Sequence, residues 1–351
     1  MISLGIPITI VSGFLGAGKT TLINQALNAT ELPREEIIII ENEVGQTGID
    51  HELLLHTKEH VLQLNNGCMC CSLREDLITT LASIEEVTKE WQVPLSQIIV
   101  ETTGIADPQP IIQTILTTPV LRNTYYIDSL LTVVDSQNSS MYQNEPVSLK
   151  QIALADRIFF ALKEGDTVSN CSEILARLIE INPLADFIYF SETAPISATD
   201  FFHLDKFQAT EVLNEPVATQ TEMELTNESH HREHHHKVHL QGHTHATTVH
   251  QQNNHGFQTV LLTANSELNE AALIRWIDWL LFFNQELYRF KGIVVLENRE
   301  LAVAVQGVNQ QVRFQLTPLE KSTTKIVLIG KNLASKEIEE TFNQLCIAYK
   351  Q

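Results

Sequence analysis

One stretch, GFLGAGKT at residues 13–20, constrains this 351-residue chain more than any other. The apolar run before it (PITIVS, 7–12) reads as a buried strand, and residues 19–28 after it read as a helix. Strand, glycine-rich turn and helix, in that order, build a cradle for phosphate. Gly13, Gly16 and Gly18 let backbone amides turn toward phosphate oxygens where a side chain would collide. Lys19 sets a cation on the terminal phosphates, and the Thr20 hydroxyl is placed to ligate magnesium. Ala17 and Thr21 complete the nucleotide-contacting stretch. A nucleoside triphosphate is the expected ligand.

The rest of the chain fits around that element. Short apolar runs at 37–40, 98–100, 130–134, 157–162 and 186–190 alternate with helix-like stretches such as 73–91 and 171–181. Continuous apolar strands separated by helices predict an α/β fold, a P-loop NTPase domain whose mostly parallel sheet is covered by helices on both faces. This domain is expected to span 1–205. Residues 206–256 are polar and hold 10 of the 14 histidines, which marks a linker or insertion rather than core. Order resumes at 257 with a strand (FQTVLLT), a helix over 269–283, strands at 291–296, 301–305 and 326–329, and a helix over 335–347. Residues 257–351 are therefore read as a smaller α+β domain.

Composition narrows the function classes. A net charge of −20 argues against a surface that binds nucleic acid. No run approaches the roughly 20 apolar residues that cross a bilayer. The opening MISLGIPITIVSG lacks the charged start and cleavage signature of a signal peptide. Five cysteines, three of them within 68–71, do not form a disulfide framework. A cytoplasmic protein is expected.

Binding a triphosphate leaves the chemistry open among kinases, ATPases and switch GTPases. Glu101 closes the IIVE strand and can hold a magnesium-bound water. Gly104, three residues on, can turn its amide to the γ-phosphate and lose that contact on hydrolysis. Cys68, Cys70 and Cys71 supply three sulfurs for a soft metal, and the set lacks a fourth ligand. Incomplete coordination suits a site that accepts and releases its ion. A packing role or a redox pair competes with that reading. Cys171 and Cys346 sit in helix-like segments and read as packing residues. Glu41 and Glu43, at the end of the IIII strand, are candidates for contact with magnesium or with the thiol-bound metal, against a helix cap or a solvated loop. The tract HHREHHHKVHLQGHTH (230–245) reads as a flexible metal-gathering loop, or else as a solvated spacer.

Together these residues resemble the CobW-type GTPases, relatives of the UreG and HypB metallochaperones, along essentially the whole chain. GFLGAGKTTL (13–22) is similar to the family's phosphate loop, ENEVG (41–45) to its first switch, GCMCC (67–71) to its G-C-x-C-C signature and ETTGIADP (101–108) to its E-x-x-G switch. Residues 257–351 are similar to its carboxy-terminal domain. The resemblance implies GTP hydrolysis coupled to delivery of a transition metal, most often zinc and in some branches cobalt, to a client metalloprotein. It leaves room for a homo-oligomer.

Two departures stand out. The family's guanine-reading segment is usually N/T-K-x-D, whereas this chain has Leu162-Lys163-Glu164-Gly165-Asp166, with no Asn or Thr and one extra residue between Lys163 and Asp166. Asp166 retains the ability to accept the guanine N–H groups. Gln46 stands where many members carry a second acidic residue. No residue identifies itself as the water-activating base, so slow intrinsic turnover is expected. The rival reading is a non-catalytic metal buffer or sensor with a vestigial nucleotide site.

Overall fold

The computed structural model describes residues 5–41, 60–63, 72–91, 94–167, 170–207, 250–252, 256–308, 310–321 and 323–347. The chain divides into two compact units, Met1–Gln208 and Ala209–Gln351.

The first unit is built on seven strands: β1 (Ile6–Gly13), β2 (Ile37–Glu41), β3 (His60–Gln63), β4 (Gln97–Glu101), β5 (Tyr125–Asp135), β6 (Arg157–Ala161) and β7 (Asp186–Phe190). They form one sheet in the order β3-β2-β4-β1-β5-β6-β7, and every pairing is parallel. Parallel neighbours need crossovers, supplied here by α1 (Lys19–Ala29), α2 (Ser72–Trp91), α3 (Gln109–Thr117), α4 (Pro119–Thr124), α5 (Met141–Asn144), α6 (Pro146–Leu154) and α7 (Ser172–Ile181). Helix α1 lays Leu22, Ile23 and Ala26 on Val11, Ile37, Ile39 and Val133. The alternate residues Ile8, Ile10, Ile38 and Ile40 are equally buried, so both sheet faces are covered.

The second unit contains β8 (His250–Gln252), β9 (Phe257–Ala264), α8 (Glu270–Phe283), β10 (Leu287–Val294), β11 (Leu301–Val308), β12 (Gln311–Glu320), β13 (Thr324–Lys331) and α9 (Ser335–Ile347). Its sheet is antiparallel, in the order β12-β11-β10-β13-β9-β8. Leu273, Trp276 and Leu280 of α8 and Ile338 and Phe342 of α9 share a core with Val260, Phe290, Val305 and Leu328 of the strands. The Asn269 side chain caps α8 by accepting the Ala272 N–H at 3.2 Å. Among the described residues, no helix is long and apolar enough to cross a membrane.

Two strand expectations need correction, and a further strand, β12, was not expected from the sequence. Strand β5 starts five residues before the apolar run at 130–134, because Asp128 and Ser129 are buried in it despite their polarity. Strand β10 runs Leu287–Val294 rather than 291–296, its first half hidden in the sequence by Arg289, which is 1% exposed. Strand β12 has no apolar run to announce it. It lies at the sheet's edge, mostly exposed, where Pro318 costs no ladder hydrogen bond.

Candidate nucleotide site

Strand β1 delivers the phosphate loop to the carboxyl edge of the sheet. Gly13 ends the strand at φ 136°, and a Cβ there would lie 2.3 Å from the Val133 carbonyl oxygen, so no other residue fits. Gly18, at φ 111°, opens α1 without a side-chain cap, and no acidic residue occupies the helix's first turn. Its leading amides and positive dipole end are thus left for an anion. Around Gly16 a Cβ would meet nothing within 4 Å, so there the positive φ of 73° rather than crowding favours glycine. Lys19 is 9% exposed. Its Nζ donates to the Gly13 and Phe14 carbonyls at 3.0 and 3.2 Å. Burial pushes the Lys19 pKa down, and the nearby Glu101 carboxylate partly opposes that shift. A desolvated ammonium resting on two carbonyls gains by exchanging them for phosphate oxygens.

The magnesium candidates meet at the same edge. Thr20 Oγ1 donates to Glu101 Oε1 at 3.0 Å, bringing together residues 81 positions apart. A hydroxyl and a carboxylate are the hard oxygen donors that magnesium prefers. Strand register continues the row: Val11 pairs with Glu101, Glu101 with Glu41, and Glu41 with Gln63. Register partners in a parallel pair share a sheet face, so Glu41 flanks Glu101. Glu43, Cys68, Cys70 and Cys71 lie outside the described residues. Among the described residues, no group of three or more His, Cys, Asp or Glu side chains gathers as a metal site. Cys171 is buried and Cys346 half-buried against the second unit's core, and burial pushes the Cys346 thiol up to about 11.

Segment 101–108 lies directly on the phosphate loop. The Thr102 N–H donates to the Val11 carbonyl at 2.9 Å. At Gly104 a Cβ would stand 2.3 Å from the Leu15 backbone nitrogen, so glycine is required by close approach. Helix α6 holds this segment from the other side. Gln151 Nε2, fully buried, donates to the Ala106 carbonyl at 2.9 Å and reaches the Gly104 carbonyl at 3.5 Å. Lys150 pairs with Asp107, and Asp107 Oδ1 accepts the Gln109 N–H at the start of α3. Sequence reading missed Gln151, since a lone glutamine in a helix carries no signal until the sheet brings α6 under the loop.

A cavity of about 810 Å³ opens beside the start of α1. Gly18 and Thr21 form one wall, and residues 161–166 and 190–194 form the others, so Lys163 and Asp166 both line it. The extra residue in the Lys163–Asp166 segment is absorbed by a turn. The Asp166 N–H closes on the Lys163 carbonyl at 2.9 Å, and Gly165 takes φ 88° at the third position. Asp166 Oδ2 accepts the Lys163 N–H at 2.8 Å and the Ser136 hydroxyl at 2.6 Å. Ser136 and residues 191–194 were also missed. Their position just past the ends of β5 and β7, on the ligand-binding edge, is the signal that finds them.

Comparison with known proteins matches this architecture. The family model for the CobW/HypB/UreG nucleotide-binding domain matches residues 7–188, and that for the cobalamin synthesis protein cobW C-terminal domain matches residues 257–346. The chain belongs to the CobW/HypB/UreG family. Among its CobW-family relatives, the zinc chaperone YjiA of Escherichia coli is 34% identical over 181 residues, covering 51% of this chain and 56% of that protein. The chain thus spans about half the length of that relative. Zinc-regulated GTPase metalloprotein activator 1 of Saccharomyces cerevisiae is 27% identical over 380 residues, covering 95% of this chain and 82% of that protein. The crystal structure of Zn(II)-bound YjiA GTPase from E. coli superposes with a TM-score of 0.69 at 22% identity, covering 97% of this chain and 99% of that one, and so shares the fold.

Proposed function

We propose that this CobW-family protein is a GTP-hydrolysing metallochaperone that carries zinc and hands it to a client metalloprotein under nucleotide control. The proposed zinc ligands are Cys68, Cys70 and Cys71, with Glu41 or Glu43 in support. One observation carries the reading: the row Glu101–Glu41–Gln63 runs along one sheet edge, and Glu101 itself receives the Thr20 hydroxyl. Strand β3 ends at Gln63 on that edge, and α2 begins at Ser72. Cys68 is five residues beyond Gln63, a reach of at most about 17 Å. A right-handed crossover between the parallel strands β3 and β4 sets the amino end of α2 near the carboxyl edge of the sheet. Both flanking positions, Gln63 and Ser72, therefore belong to the edge of the sheet that carries the phosphate loop, with β3 three places from β1 in the strand order.

In the proposed cycle, Lys19 and the loop amides hold the phosphates, and Thr20 and Glu101 would hold magnesium. When bound, that ion neutralises charge on the phosphate oxygens. The Gly104 amide contacts the γ-phosphate, and pinning of 41–50 and 101–108 against it gathers the metal ligands. Water attacks GTP, releasing GDP and phosphate; the Gly104 contact is lost and the zinc site loosens. A thousandfold difference in zinc affinity requires about 4 kcal/mol of coupling. Zinc titration with a non-hydrolysable GTP analogue and with GDP tests this, repeated on Cys70→Ala. Tighter zinc binding in the analogue state, lost in Cys70→Ala, is expected. Equal affinities in the two states would leave a metal buffer instead. Cobalt competition in the same titration reads the metal preference.

A further inference from the structure

We infer that Ser136 is a specificity-positioning residue that makes the altered Lys163–Asp166 turn a working guanine reader. The inference rests on the reading of the 810 Å³ cavity as the site of the base.

An aspartate on a tight turn has rotamer freedom, and discrimination between bases requires its carboxylate to be held in one place. Two donors do that here. The Lys163 N–H (2.8 Å) comes from within the turn, and the Ser136 hydroxyl (2.6 Å) comes from a strand end thirty residues away. Both are spent on Oδ2. Among the described residues no donor engages Oδ1, which belongs to a residue lining the cavity.

Ser136 is itself well anchored. It follows Asp135, the fully buried last residue of β5. The two Asp135 carboxylate oxygens accept the Asn138 N–H and side-chain amide, each at 2.8 Å, and the Asp135 N–H meets the Tyr142 hydroxyl oxygen at 2.9 Å. The serine is thus fixed to the sheet, and through it the carboxylate of a loop that has lost the usual asparagine is fixed too.

The chemistry selects guanine. Its N1–H and exocyclic amine are donors that a carboxylate accepts, whereas adenine presents an N1 acceptor to the same oxygen and is repelled. Loosening the carboxylate should therefore weaken guanine binding and leave adenine binding, which never gained from it, unchanged.

The experiment is equilibrium binding of fluorescent GDP, ADP and XDP to the full-length protein. Wild type is expected to prefer GDP over ADP, and Asp166→Asn to exchange that preference for XDP, whose C2 carbonyl accepts from an amide. Ser136→Ala is expected to weaken GDP about three- to tenfold with ADP unchanged, lowering the GDP:ADP ratio by the same factor. Ser136→Cys, which keeps the volume and offers only a weak donor, should behave alike should the alanine variant fail to fold. Ser136→Thr, which keeps the hydroxyl, should restore the ratio. Equal binding of GDP and ADP by wild type would remove the guanine reading, and the role of Ser136 with it. A guanine preference that depends on Asp166 but survives both Ser136→Ala and Ser136→Cys would remove the role of Ser136 alone. An equal loss of GDP and ADP in those variants would also overturn it, by showing general damage.

Discussion

The two ends of the nucleotide site are built on different principles. At the phosphate end the backbone is the binding element, and steric exclusion dictates its residues. Gly13 and Gly104 each face a backbone atom 2.3 Å from where a Cβ would sit. At the cavity end one carboxylate is the proposed binding element. Gly165 needs its φ of 88° but has nothing within 4 Å of a Cβ. The first arrangement tolerates no change of residue or spacing, and the chain keeps the motif intact. The second requires only that a carboxylate arrive in the right place, which the longer turn and the Ser136 contact are proposed to provide. A site diverges where its chemistry depends on one group's position rather than on the course of the main chain.

That contrast can be broken by substitution. Gly13→Ala should be the most damaging, combining a forbidden dihedral with a clash against Val133. A loss of about 3 kcal/mol is expected, seen as a thermal midpoint lower by about 6–12 °C. A variant as stable as wild type would show that the phosphate loop yields more than its contacts allow. Gln151→Ala leaves the carbonyls of Ala106 and Gly104 without their buried donor, at a cost of about 1–2 kcal/mol. Because it frees the segment that rests on the phosphate loop, it should lower the affinity for a GTP analogue more than that for GDP. Calorimetry with both ligands checks this; equal losses would mean that α6 merely packs there. Gly165→Ala meets open space and is charged only for its dihedral, about 1 kcal/mol. Its thermal midpoint should fall by about 2–4 °C. A loss matching that of Gly13→Ala would erase the distinction between the two ends.

Legibility in the sequence followed the same division. The phosphate loop was readable because all its constraints fall within eight consecutive residues flanked by a strand and a helix. Glu101 and Gly104 were singled out from their place at a strand end, and Asp166 only through the resemblance to the family's guanine-reading segment. The Thr20–Glu101 contact spans 81 positions, the Ser136–Asp166 contact 30 and the Gln151–Ala106 contact 45. Such pairs leave no local pattern. The same holds for the fold. Buried runs such as IIII at 37–40 declared themselves, while β12 and the first half of β10, carrying charges and lying at an edge or hiding a buried arginine, did not.

By itself the sequence determined the phosphate cradle, the alternation of strands and helices, and the kinds of donor on offer: glycine amides, a lysine, hydroxyls, carboxylates and thiols. These are properties of short-range sterics and of side-chain chemistry, which neighbours along the chain decide. Only the tertiary structure decided which donors meet. The strand order β3-β2-β4-β1-β5 sets Glu41 beside Glu101 and Glu101 beside the phosphate loop, and it brings the end of β5 to the turn after β6. Strand order is chosen by how a whole sheet buries both its faces, a balance summed over the domain that no single stretch of residues encodes.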